Sequence, residues 1–151
     1  YAKANRYYSE AVKRDSSSFM SWYQLIITDL ELNAIEDLYE HTIKVQRFYP
    51  EQPLFYLFNG LALIDMERYE EAIKVLEKGR FMSADKDLSA DFDTYIADIY
   101  HELGNKEMMY KYYDKVLKNN PENDYVLNNY AYFLTHQDNT TARTTERLMG
   151  G

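Results

Sequence analysis

Six acidic residues crowd residues 85–102: Asp85, Asp87, Asp91, Asp93, Asp98 and Glu102, opposed only by Lys86. Paired carboxylates can share general acid and base work, and Asp98 with Glu102 is a pair one helical turn apart. Raising one of them for acid catalysis requires burial, whereas an acidic run on a helix face is ordinarily solvated. A carboxylate-dependent hydrolase is therefore the remotest of the functions considered. The three histidines, His41, His101 and His136, lie far apart, and His101-Glu102 lacks the second histidine that would complete a zinc motif. No nucleophile elbow, phosphate loop or dinucleotide fingerprint occurs. The expectation is a protein that is not an enzyme, with no catalytic residues, cofactor or metal.

What must position these residues is an apolar framework, and 46% hydrophobic with 28% charged residues in a chain of 151 is enough to build one. Most of the sixteen tyrosines fall at the helical spacing of core residues, among them Tyr8, Tyr56, Tyr100, Tyr113 and Tyr130, and Trp22 shares that spacing. Core packing with hydroxyls at the rim accounts for them better than an aromatic cage. A net charge of −8 repels a phosphate backbone, so no nucleic acid partner is expected. Residues 1–50 carry six Lys/Arg against seven Asp/Glu, and residues 51–151 carry eleven against eighteen. No apolar run reaches the roughly 18 residues of a spanning helix, and no signal peptide is legible at the start, so direct membrane insertion is not expected. The absence of cysteine does not separate cytoplasm from periplasm for a protein expected to be soluble.

Internal repetition organises the chain. Ala4, Leu38, Ala72 and Met109 step by 34, 34 and 37 residues; Tyr8, Thr42, Leu76 and Tyr113 follow four positions later, then Ala11, Val45, Gly79 and Val116 three further on. Offsets of four and three share a helical face, so each copy contains a helix with an apolar stripe. A preceding helix carries its own stripe: Trp22, Leu25 and Ile26; Tyr56, Asn59 and Gly60; Ile96 and Ala97; Leu127, Tyr130 and Ala131. Leu63, Tyr100 and Leu134 continue it where the earliest copy has Asp29. Breaks at residues 32–34, 66–68 and 103–105 separate the paired helices, and Gly104 suits a left-handed cap.

These residues resemble the tetratricopeptide repeat, most clearly over 55–79 and 94–121, as a bacterial-type repeat scaffold. The resemblance implies an all-α solenoid of helix-turn-helix units, a right-handed superhelix, in one domain over 1–151. Residues 1–18 read as the second helix of a truncated repeat, 19–52, 53–89 and 90–123 as full repeats, and 124–151 as a partial repeat with a Thr-rich tail. The chain is expected to be a fragment of a longer solenoid, because a terminal repeat usually needs a polar capping helix. Asp29 and Asp93 depart from the pattern where it takes bulky apolar residues, as does Asn59 where it takes leucine.

The resemblance further implies a role in binding protein, an adaptor or scaffold whose first helices line a concave groove. The family's groove positions fall on Met20, Tyr23, Ile27 and Leu30; on Leu54, Leu57, Leu61 and Ile64; on Asp91, Thr94, Asp98, His101 and Glu102; and on Tyr125, Asn128 and Tyr132. That groove runs from apolar to acidic, which fits a protein or extended peptide with apolar and basic side chains. The clamp with which one subtype holds acidic C-terminal peptides is missing: its places hold Tyr23, Ile27, Phe58, Asp91 and Tyr95. The alternative is a structural module that forms a homo-oligomer through exposed end repeats.

Overall fold

The architecture of the chain is that of a computed structural model, which describes residues 1–135. Seven complete helices follow one another: α1 (Ala2–Arg14), α2 (Phe19–Glu31), α3 (Ile35–Phe48), α4 (Pro53–Asp65), α5 (Tyr69–Met82), α6 (Lys86–Glu102) and α7 (Lys106–Asn119). An eighth, α8, occupies residues 124–135 up to the last described position. There is no strand among the described residues. Antiparallel pairs α2–α3, α4–α5 and α6–α7 stack in sequence, and the first helices α4 and α6 also touch. The result is an all-α solenoid of helical hairpins. No described helix is long and apolar enough to cross a membrane. His136 and the Thr-rich tail lie outside the described residues.

Local chemistry sets the helix ends. Ser18, Asp85, Asn105 and Asn123 each accept a hydrogen bond from a backbone N–H three residues on, which satisfies one of the open donors of the first turn. Pro53 opens α4, where its missing N–H costs nothing. Every hairpin turn is closed the same way: Asn33, Glu67 and Gly104 take positive φ, and the next residue's N–H reaches back to Asp29, Leu63 or Tyr100. This is a left-handed cap with a six-to-one bond, which ends the helix while pairing its last carbonyls. Gly104 alone was read from the sequence as such a cap; Glu67 carries a side chain that rarely adopts this conformation, whereas Asn33 is of a type that does so more readily. The insertion in the third step lengthens α6 at its start, so the helix begins at Lys86, ahead of the boundary expected at residue 90.

The second-helix stripe is buried as its spacing requires, with Leu38, Thr42, Val45, Ala72, Leu76, Gly79, Met109, Tyr113 and Val116 inside. In α1 the corresponding Ala4, Tyr8 and Ala11 are half-buried. α4 is buried on nearly every side, from Phe55 through Gly60 and at Ala62 and Leu63, because it lies against α3, α5 and α6 at once. In α8 the stripe is turned from the expected one. Val126 is fully buried, whereas Leu127, Ala131 and Leu134 are exposed.

The junctions α1–α2, α3–α4 and α5–α6 each carry a polar cross-link, and the departures from the repeat pattern form it. Asn5 of α1 donates to the buried Asp29 of α2 at 2.7 Å and to Thr28 at 2.9 Å, and the other Asp29 oxygen meets His41 Nδ1 of α3 at 2.6 Å. Asn59 of α4 donates to the Thr42 hydroxyl of α3 at 3.0 Å. Arg80 of α5 pairs with the fully buried Asp93 of α6. Burial holds the Asp93 carboxyl above the ordinary range, against the opposing pull of Arg80. A buried polar group costs stability unless it is paired, so each link tolerates one register between its hairpins.

Candidate functional site

Tyr95, Asp98, Ile99 and Glu102 fall at i, i+3, i+4 and i+7 of α6 and share one face. On α8, Tyr125, Asn129 and Phe133 do the same at steps of four. The hairpin turn brings Ile64, from the end of α4, and Tyr69, at the start of α5, to the same place. Together with His101 these side chains enclose an open cavity of about 470 Å³. The Asp98 carboxylate is held from both sides. Tyr113 donates to Oδ1 at 2.7 Å, and Tyr125 donates to Oδ2 at 3.1 Å.

Burial raises the Asp98 pKa, opposed by the two tyrosine hydroxyls and by His101. Burial likewise raises Tyr95, with Asp91 and Asp98 adding to the effect, so its hydroxyl stays neutral. Asp91, one turn earlier and exposed at the surface, is raised by partial loss of solvent around its carboxyl and then by repulsion from Asp87 and Asp85. The His101 ring packs on Phe133 with centroids 4.3 Å apart and its Nδ1 lies 3.8 Å from Glu102. Carboxylates set among aromatic rings attract a cation twice over, by charge and through the ring faces. Among the described residues no three of His, Asp and Glu converge as a metal ion requires.

Of the residues expected in the groove, Ile64, Asp98, His101, Glu102 and Tyr125 meet in this cavity. Tyr23, Ile27, Leu30, Leu54 and Leu61 are half-buried along α2 and α4 against the N-terminal core cluster, with Tyr23 stacked on Phe19 and edge-on to Phe58. Met20 is exposed. Leu57, expected as an apolar contact, is only 7% exposed and belongs to the main core, so it offers a partner little surface. Thr94 spends its hydroxyl on the Ala90 carbonyl at 2.8 Å. Asp91 is exposed before the cavity, and Asn128 and Tyr132 are exposed outside it. Asn129 and Phe133, one position on and thus about 100° around the helix, line it instead.

The residues not anticipated for the cavity are Tyr69, Tyr95, Ile99, Asn129 and Phe133. The spacing from Tyr95 to Glu102 could have revealed two of them. Tyr69 could not be found this way, because it lies on a second helix and reaches the site only through the hairpin turn.

A tetratricopeptide repeat family model matches residues 55–79 and 96–123. Solved structures share the fold. MamA is 19% identical with a TM-score of 0.70, covering 78% of this chain and 67% of its own. A thermophilic TPR protein of Thermus thermophilus is 16% identical with a TM-score of 0.74, covering 87% of this chain and 72% of its own. This chain thus spans about two thirds of the length of such structures. No functionally curated protein matches the sequence significantly. The match marks residues 55–79 and 96–123 as tetratricopeptide repeats, and the solved structures show the same stacked helical-hairpin fold.

Proposed function

We propose that the chain is a protein-interaction scaffold whose first-helix face takes an extended segment and seats one lysine or arginine side chain in the cavity between α4, α6 and α8. The observation that carries this reading is the placement of Asp98 and Glu102 among Tyr69, Tyr95, Tyr125 and Phe133. A cation entering there exchanges water for carboxylates and ring faces. The apolar flank of the same segment would lie along Met20, Tyr23 and Ile27. Asp91 outside the cavity steers a basic segment toward it, since exposed charges act mainly on association.

Fluorescence anisotropy with a labelled peptide, apolar at one end and lysine-bearing at the other, tests the reading. Asp98→Asn combined with Glu102→Gln should weaken binding about tenfold, and replacing the peptide's lysine by norleucine should weaken it similarly. Affinity should also fall as pH is lowered, beginning above the ordinary carboxylate range, because burial makes Asp98 take its proton early. Equal binding of the lysine and norleucine peptides would dismiss the cavity as a cation site.

Self-association is the second reading. Tyr1 and Tyr7 are exposed at one end of the described solenoid, and Leu127, Tyr132 and Leu134 at the other. Contact between unlike ends builds open chains, whose mass in sedimentation equilibrium would grow with concentration. Tyr7→Glu should abolish that growth without altering peptide binding. A monomer at all concentrations would rule this reading out.

A further inference from the structure

A second cavity, of about 290 Å³, opens between α1 and α3, with Trp22 of α2 among its lining residues. Lys13, Lys44 and Arg47 line it, so half of the six cations in residues 1–50 converge on one cleft of a protein with net charge −8. Lys44 and Arg47 form no ion pair among the described residues. Lys13 has only the exposed Glu10, 3.4 Å away. The carboxylate behind the His41 wall, Asp29, is buried and occupied by Asn5 and His41.

The inner wall is aromatic and rigid. Trp22 is 4% exposed, donates its Nε1–H to the Ser16 carbonyl at 2.8 Å and stacks on Phe48 with centroids 6.2 Å apart. Phe48 is half exposed, so its ring offers a face to whatever enters. His41 completes the wall, with Nδ1 held by Asp29. Cations at the rim and rings behind them match an anionic group carried beside an apolar one. The volume suits one or two side chains, below the usual range for an enclosed small-molecule site.

We propose that this cleft binds an acidic peptide segment of a partner protein, with a carboxylate between Lys44 and Arg47 and a neighbouring apolar side chain on Phe48. The site shares no lining residue with the cation cavity, so the scaffold joins a basic segment at one cleft to an acidic one at the other. Charge complementarity names the occupant: a basic segment would meet three like charges there.

Trp22 is the only tryptophan of the chain, so its emission reports on this cleft. The test uses the whole chain and a labelled peptide of alternating glutamate and phenylalanine, with an alanine-for-glutamate peptide and inorganic phosphate alone as comparisons. Saturable binding should change Trp22 emission and weaken with added salt. Lys44→Glu with Arg47→Glu should lower affinity about tenfold or more, and Lys44→Gln with Arg47→Gln should lower it less. Because these side chains are exposed, both variants should keep the parental melting temperature. Asp98→Asn with Glu102→Gln should leave acidic-peptide binding unchanged, which separates this site from the first. The proposal is overturned by equal affinity for the alanine peptide, by insensitivity to both charge variants, or by no saturation at millimolar peptide. Competition by inorganic phosphate at the same concentration as the peptide would also overturn it, as the cleft would then be an anion site without peptide recognition.

Discussion

Replacing Gly79 by alanine should destabilise the protein, although the same change in an open helix would stabilise it. Gly79 lies within α5, where alanine gains about 1 kcal/mol of helix propensity over glycine. A methyl group there would sit 2.5 Å from Cζ and 2.7 Å from Cε1 of Phe92, and 2.8 Å from Cβ of Tyr56. Carbon atoms rest about 3.5–4.0 Å apart, so the neighbours must retreat by about 1 Å. Phe92 is fully buried, so its ring can retreat only against other core side chains, and Tyr56 Cβ moves only with its backbone. Overpacking of this kind costs about 1–3 kcal/mol, and the clash on two sides places it in the upper half of that range. Subtracting the propensity gain leaves a loss of about 1–2 kcal/mol, or about 2–8 °C in melting temperature for a chain of this size. Urea denaturation followed by circular dichroism measures it. Adding Phe92→Leu, which removes the ring atoms in the clash, should make the double variant more stable than the sum of the single effects by about 0.5 kcal/mol or more. The same close approach sets the spacing of α5 and α6, and hence of Tyr69 and Tyr95 across the cavity, so Gly79→Ala should also weaken basic-peptide binding. A midpoint equal to or above the parent's would refute the packing argument.

Two further outcomes follow from the charges at Asp93 and Asp91. Arg80→Ala should cost about 3 kcal/mol in the same denaturation assay, because it strands the fully buried Asp93; the partial exposure of Arg80 keeps the loss at the low end for a broken buried pair. Asp91→Asn should raise the melting temperature near neutral pH, with the gain vanishing by about pH 3. The folded carboxyl binds its proton at higher pH than the unfolded one, so the parent's relative stability is full below the ordinary value of 3.8 and is lost as pH rises through the raised folded value. Melting curves of both proteins across that range check the sign.

The repeat architecture could be read from the sequence because it is carried by local spacing. Leu38, Thr42 and Val45 share a helix face whatever lies opposite, and a stripe repeated every 34 to 37 residues leaves stacked hairpins as the way to bury it. The turns at residues 32–34, 66–68 and 103–105 were legible for the same reason. Which side chains meet across helices was not, since that depends on how far each helix is rotated against its neighbours. A rotation of about 100°, one residue, decides that Asn129 and Phe133 line the cavity while Asn128 and Tyr132 do not. Packing between α3, α5 and α6 withdraws Leu57 from the surface that its position in the repeat assigns to it. Asp29, Asn59 and Asp93 stood out only as misfits in the pattern; their partners Asn5 and His41, Thr42, and Arg80 lie 12 to 24 residues away and became partners through the stacking of hairpins. The two clefts belong wholly to that level. Their charges are visible in the sequence, but Lys13 meets Lys44 and Arg47, and Tyr69 meets Asp98, only once the helices are packed.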